Sequence, residues 1–186
     1  MPDPKRVAIL ISGRGSNMRA LVEQASGYEV VLVASNRPQA PGLDHARAAG
    51  IPTWTSNSKG VPREEFEAEL GRALRDHRVG TVALAGYMRL LSAAFVEQWR
   101  GRMLNIHPSL LPRYPGLETH ARAIAAGDSV AGCSVHIVTE EVDSGQVLAQ
   151  AEVAIGPSDD AATLEARVLE AEHTLYPAAL AEFVKR

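Results

Sequence analysis

Three short runs, VAILI at 7–11, VVLVAS at 30–35 and TVALA at 81–85, are apolar without interruption and rich in Val and Ile. A strand with one wet face alternates apolar and polar side chains, whereas a run without alternation has both faces covered, as in a parallel strand with helices above and below. The segments between the runs supply those helices. SNMRALVEQA follows the first and PGLDHARAAG the second; VPREEFEAELGRALRDH precedes the third, with Phe66, Leu70 and Leu74 spaced four apart and Pro62 suited to a first helical position. The βαβαβ order predicts an α/β chain with a doubly wound, mostly parallel sheet and helices on both faces, its ligands lying beyond the carboxyl ends of the strands. Two further strand-like runs, AGCSVHIVT and QVLAQAEVAI, flank the acidic turn EEVDSG, and a final helix is expected after Ser158 with Leu164, Val168 and Leu175 on one face.

A chain of 186 residues that is 46% hydrophobic has room for one well-buried core, so residues 1–186 are expected to form a single domain. The net charge of −3 gives no reason to expect nucleic acid, and no apolar run approaches the length that crosses a bilayer. Cys133 alone cannot build a disulfide framework, and the opening apolar run ends in glycines rather than a cleavage site, so the expected setting is the cytoplasm.

Two stretches carry candidate chemistry. SGRGSNM, at 12–18, leaves a buried strand and enters a helix, so its backbone N–H groups suit a phosphate. Met18 stands where a dinucleotide fingerprint needs a small residue, and the Gly-Lys-Ser/Thr ending of a nucleoside-triphosphate loop is absent. A monophosphate is the expected anion, and a tight turn capped by Ser16 is the alternative. NIHPSLLPRYPG, at 105–116, begins as a strand with Leu104 and Ile106 on one face and Asn105 and His107 on the other. Prolines at 108, 112 and 115 then make a stiff arm outside the ladder. Asp143, in the turn after a buried strand, is a candidate carboxylate, although Asp is also ordinary turn chemistry. Spacing alone leaves open whether these three groups act together. A zinc hydrolase is disfavoured by the lack of His-Glu-x-x-His and of paired cysteines, whereas a non-catalytic nucleotide-binding module fits the loop and sheet alone.

ILISGRGSNMRALV, LAGYMRLLS, LNIHPSLLPRYPG, SVHIVTEEVDSG and AEHTLYP, in that order, resemble the phosphoribosylglycinamide formyltransferases, folate-dependent enzymes of purine biosynthesis with a Rossmann-like fold. The Asn-x-His-Pro-Ser and distal Asp elements are shared with methionyl-tRNA formyltransferases, which add a C-terminal tRNA domain, and with formyltetrahydrofolate hydrolases. The phosphate loop favours the glycinamide enzymes, with the hydrolase, which delivers water in place of an amine, as the alternative.

The resemblance implies transfer of a formyl group from 10-formyltetrahydrofolate, as cosubstrate and without a metal, to the amine of glycinamide ribonucleotide. It implies catalysis by Asn105, His107 and Asp143; phosphate contact at Gly15, Ser16 and Asn17; and ribose contact at Glu172. It places the folate against Met88, Arg89, Leu90 and Leu91, with Arg63 near its glutamate tail, Asn105 at its formyl group and Thr139, Glu140, Glu141, Val142 and Asp143 along its pterin ring. The N-terminal half would hold the ribonucleotide phosphate and the C-terminal half the folate and the catalytic groups. Plainer readings pair Arg63 with Glu67 and leave Glu172 in solvent. Ser109 and His136 lie in matched motifs, His136 as a structural histidine or a supporting partner; Glu118 departs from the pattern and receives no role. The partners implied are small molecules, with no nucleic acid or membrane, acting on a monomer or homodimer.

Overall fold

The computed structural model describes residues 2–186. The elements run β1 (Arg6–Ile11), α1 (Ser16–Glu23), β2 (Glu29–Ser35), α2 (Gly42–Ala48), β3 (Thr53–Thr55), α3 (Arg63–Asp76), β4 (Thr81–Leu84), α4 (Ala93–Gln98), β5 (Met103–His107), α5 (Thr119–Ala125), β6 (Val130–Ile137), β7 (Val147–Ala154) and α6 (Ala161–Phe183). They build one seven-stranded sheet ordered β3-β2-β1-β4-β5-β6-β7, parallel through β5 and antiparallel from β5 to β7.

The uninterrupted apolar runs fill two cores. Along β1, Val7, Ile9 and Ile11 face a core shared with α1, α2 and α6, while Ala8 and Leu10 face one shared with α3 and α4. α6 crosses the sheet with Leu164, Val168, Tyr176 and Leu180 buried, and the Tyr176 hydroxyl donates to the Leu84 carbonyl at 3.0 Å. Strand order reverses between β1 and β4, which opens a crevice at their carboxyl ends. There the Met88 N–H donates to Ser12 Oγ at 2.8 Å, tying together the loops that leave the two strands.

Several local expectations need correction. β3, which no sequence pattern marks, is a three-residue edge strand, all half-buried. The short helices α4 and α5, of six and seven residues, likewise carry too little sequence to show a helical period. Pro62 precedes α3 instead of opening it, and Asp160, not Ser158, caps α6, in a reciprocal box with Thr163. Nor is Ser16 a cap: Gly15 holds that position with φ +75°, and Ser16 is the first helical residue.

A Cβ on Gly15 would meet Met18 Cε at 2.9 Å and Gly42 Cα at 3.1 Å. Gly15→Ala is therefore expected to lower stability by about 1–2 kcal/mol from the left-handed backbone alone, read as a lower denaturant midpoint at unchanged slope.

Candidate active site

The site begins with register. β5 and β6 pair antiparallel with Asn105 opposite His136 and His107 opposite Ser134, so the polar face of β5 meets a second histidine across the ladder. Asn105 Nδ2 lies 3.3 Å from His136 Nε2, and His136 Nδ1 lies 2.9 Å from the Ile137 carbonyl. A carbonyl only accepts, so the proton sits on Nδ1 and Nε2 accepts from the Asn105 amide. One amide hydrogen of Asn105 is thus used for orientation, leaving the other to donate elsewhere. Burial holds the His136 ring below the ordinary imidazole range, outweighing the Ile137 carbonyl and the Asp143 carboxylate, which favour its charged form.

A ring with a depressed folded value adds stability fully above the unfolded value of about 6.5 and loses it as pH falls below that value. In a histidine NMR titration, His136 is expected to remain the neutral Nδ1–H tautomer at pH values where exposed imidazoles protonate.

His107 is 5% exposed and is held from both ends. Its Nε2 lies 2.9 Å from the Tyr114 carbonyl, so Nε2 carries a proton. Its Nδ1 lies 3.3 Å from Asp143 Oδ2, whose other oxygen is 3.6 Å from His136 Nε2. With Nε2 protonated, the Nδ1 contact is attractive only when a further proton lies between Nδ1 and the carboxylate. His107 and Asp143 therefore share one proton. The carboxylate is aimed by the Gly116 N–H, which donates to Oδ2 at 2.9 Å, and by its own left-handed backbone, φ +53°.

The arm that positions His107 is tied down as well as proline-stiffened. Ser134 Oγ donates to the Ser109 carbonyl at 2.6 Å and accepts from the Leu111 N–H at 3.0 Å. Gln150 Nε2 donates to the Leu111 carbonyl at 2.9 Å, and Thr119 Oγ1 donates to that of Pro108 at 2.7 Å. The Leu111–Pro112 bond is cis. Ser109 Oγ donates to the carbonyls of Arg113 at 2.6 Å and Tyr114 at 3.1 Å, so it shares the acceptor that fixes His107.

At the loop between β1 and α1, α6 returns Glu172 to α1. Asn17 Nδ2 donates to Glu172 Oε2 at 2.7 Å, both side chains are buried, and Asn17 Oδ1 has no partner among the described residues. Glu172 is therefore not solvated; burial raises its pKa, opposed by the Asn17 hydrogen bond.

The remaining candidates lie around the crevice. Met88 and Leu90 are 65% and 67% exposed, and Val142 is also exposed, so apolar side chains stand in water at its rim. Arg89 turns away from that rim: its guanidinium donates to the carbonyls of Ser58 at 2.8 Å and Val61 at 3.2 Å and lies over Phe66, while Leu91 packs on the core. Arg63 is exposed, and Glu67 is not its partner but accepts from the Ser92 N–H and hydroxyl. Thr139, Glu140 and Glu141 are exposed in the β6–β7 turn, where Thr139 Oγ1 donates to the Glu141 carbonyl at 3.0 Å. Sequence reasoning gave no role to the Tyr114 carbonyl and left that of His136 undecided; the cross-strand register is the signal that joins His136 to Asn105.

Comparison with known proteins gives consistent results. A family model described as formyl transferase matches residues 5–180. Phosphoribosylglycinamide formyltransferase of Escherichia coli is 43% identical, the match covering 95% of this chain and 86% of that protein. The trifunctional purine biosynthetic protein adenosine-3 of Drosophila melanogaster is 50% identical, and the chain spans only 14% of its length. Among solved structures, phosphoribosylglycinamide formyltransferase from Brucella melitensis superposes with a TM-score of 0.92 at 50% identity, covering 98% of this chain and 96% of that one. The enzyme from Coxiella burnetii, solved with CHES, gives 0.92 at 42% identity, covering 98% of this chain and 88% of that one.

Proposed function

The chain belongs to the formyl transferase family, and from that premise we propose that it transfers the formyl group of 10-formyltetrahydrofolate to the amine of glycinamide ribonucleotide in purine biosynthesis. The observation that carries this reading is the Asp143 carboxylate set between the rings of His107 and His136, with the Asn105 amide beside it.

The amine nitrogen attacks the formyl carbon, and the carbonyl electron pair moves onto oxygen. Asn105 Nδ2 meets that oxygen with the hydrogen not spent on His136, and His107 meets it with the proton shared with Asp143. Donors already fixed when charge develops need no reorganisation, which is why such groups lower a barrier. The attacking nitrogen loses a proton and the folate nitrogen gains one. The His107–Asp143 pair, which already holds one movable proton, relays this transfer, directly or through water. The carbonyl then reforms as the bond from carbon to the folate nitrogen breaks, leaving tetrahydrofolate and the N-formyl ribonucleotide.

Binding is assigned by the same reading. The backbone at Gly15, Ser16 and Asn17 holds the ribonucleotide phosphate, and the buried Glu172 oxygens reach the ribose hydroxyls. The folate lies along Met88, Leu90 and Leu91, with the turn from Thr139 through Glu140, Glu141 and Val142 beside its pterin. Arg63 faces its tail carboxylate. The orientation of Arg89 supports a different part for that residue, bracing the 58–61 loop. We assign the work to the cytoplasm and to a monomer or homodimer, without nucleic acid or membrane partners.

The test is cosubstrate dependence. Tetrahydrofolate is expected to form only when the ribonucleotide is present; its formation at the same rate without ribonucleotide would assign hydrolysis instead.

A further inference from the structure

The two groups that aim the proton-sharing pair come from one turn. Tyr114 supplies the carbonyl that accepts from His107 Nε2 at 2.9 Å, and Gly116, two residues on, supplies the N–H that donates to Asp143 Oδ2 at 2.9 Å. A shift of this turn therefore moves both partners at once. Its backbone is strained, with Tyr114 at φ +52° and Glu118 at φ +56°, a region that residues with a Cβ keep only where their surroundings impose it.

Core packing does not impose it here, because every residue from Arg113 to Glu118 is exposed or half-buried. The constraint is polar. Arg122, on α5, donates from Nη1 to the Pro115 carbonyl at 2.6 Å and the Leu117 carbonyl at 3.1 Å, the residues on either side of Gly116, and its guanidinium lies 5.2 Å from the Tyr114 ring centre. Among the described residues Arg122 has no carboxylate partner to draw those donors elsewhere. The ring beneath it is fixed at its other end: the Tyr114 hydroxyl donates to Asp128 Oδ2 at 2.7 Å, and Arg113 donates to both oxygens of that carboxylate at 2.6 Å. Polar contacts this exposed add little net stability, since water replaces them when they break. What they fix is geometry.

We propose that Arg122 is a positioning residue for the reaction. It acts through the 114–117 turn, holding the Tyr114 carbonyl and the Gly116 N–H where they keep the His107 ring and the Asp143 carboxylate aimed at the formyl oxygen. The proposal rests on the transferase reading above and adds to it a side chain whose own hydrogen bonds go to the turn, not to the pair.

The experiment compares Arg122→Met with Arg122→Lys. Both residues suit a helix about as well as arginine and keep a long apolar stem, but only lysine retains a nitrogen able to donate to both carbonyls, as Nη1 does. Arg122→Met is expected to lower kcat about tenfold or more, the scale of a small misplacement of reacting groups, with both KM values unchanged. The His107 Nε2–H signal in the imidazole NMR spectrum should shift as its acceptor moves, while the denaturant midpoint stays near that of the wild type. Arg122→Lys should recover most of the kcat and return that signal toward its wild-type position. Wild-type kcat in Arg122→Met, or a lower kcat with an unmoved His107 signal, overturns the positioning role and leaves the transferase reading standing. A raised KM at unchanged kcat overturns it by making Arg122 a binding residue, and a Met variant that no longer unfolds cooperatively overturns it by making Arg122 structural only. A folded wild type that turns over neither substrate overturns the transferase reading and this proposal with it.

Discussion

Replacing either Asn105 or His107 with alanine is expected to lower kcat by about a hundredfold or more, the scale of a lost transition-state donor. The two losses differ in their structural cost. Asn105→Ala leaves His136 Nε2 without its donor, whereas His107→Ala leaves the Tyr114 carbonyl and the buried Asp143 carboxylate without the ring that joins them. His107→Ala should therefore be the less stable variant, by about 1–3 kcal/mol. A fall in kcat with little change in ribonucleotide KM, in a variant that still unfolds cooperatively, identifies a group acting in the transition state. Wild-type kcat in either variant removes that residue from the mechanism.

Asp143→Asn is the second large effect. Asn tolerates the left-handed backbone found here, φ +53°, so the turn survives, and its side-chain oxygen can still accept the Gly116 N–H. What changes is the group facing His107 Nδ1: a neutral amide cannot share a proton with the ring as a carboxylate does. The expected result is a kcat lower by about a hundredfold or more at nearly unchanged ribonucleotide affinity. The Nδ1–H signal of His107 should also disappear from the imidazole NMR spectrum. Near-normal activity with an unchanged His107 spectrum would reduce Asp143 to a turn residue.

The parts of the fold legible in sequence are those with a pattern long enough to read. β1, β2 and β4 announce themselves because both faces are covered, and α3 because Phe66, Leu70 and Leu74 repeat over its length. β3, of three residues, and α4, of six, have too little sequence to carry a period. At the Gly15 turn a positive φ moves Ser16 into the helix, and residue type alone does not report that sign.

In the site, alternation along β5 was enough to put Asn105 and His107 on one face. Three-dimensional relations were not accessible in the same way. Asn17 and Glu172 are 155 positions apart and meet only because α6 folds back on α1. The contact between His107 and Asp143 depends on the β5–β6 register and the turn that follows. Resemblance to a family named those residues; packing supplies the physical reason they meet.

The most direct test follows the formyl carbon itself. With 10-formyltetrahydrofolate labelled in the formyl group and glycinamide ribonucleotide both present, the label is expected in the ribonucleotide, bound to its former amine nitrogen, in amounts equal to the tetrahydrofolate released. Label recovered as free formate, or left on the folate while the protein is folded and both substrates are intact, would contradict the transfer.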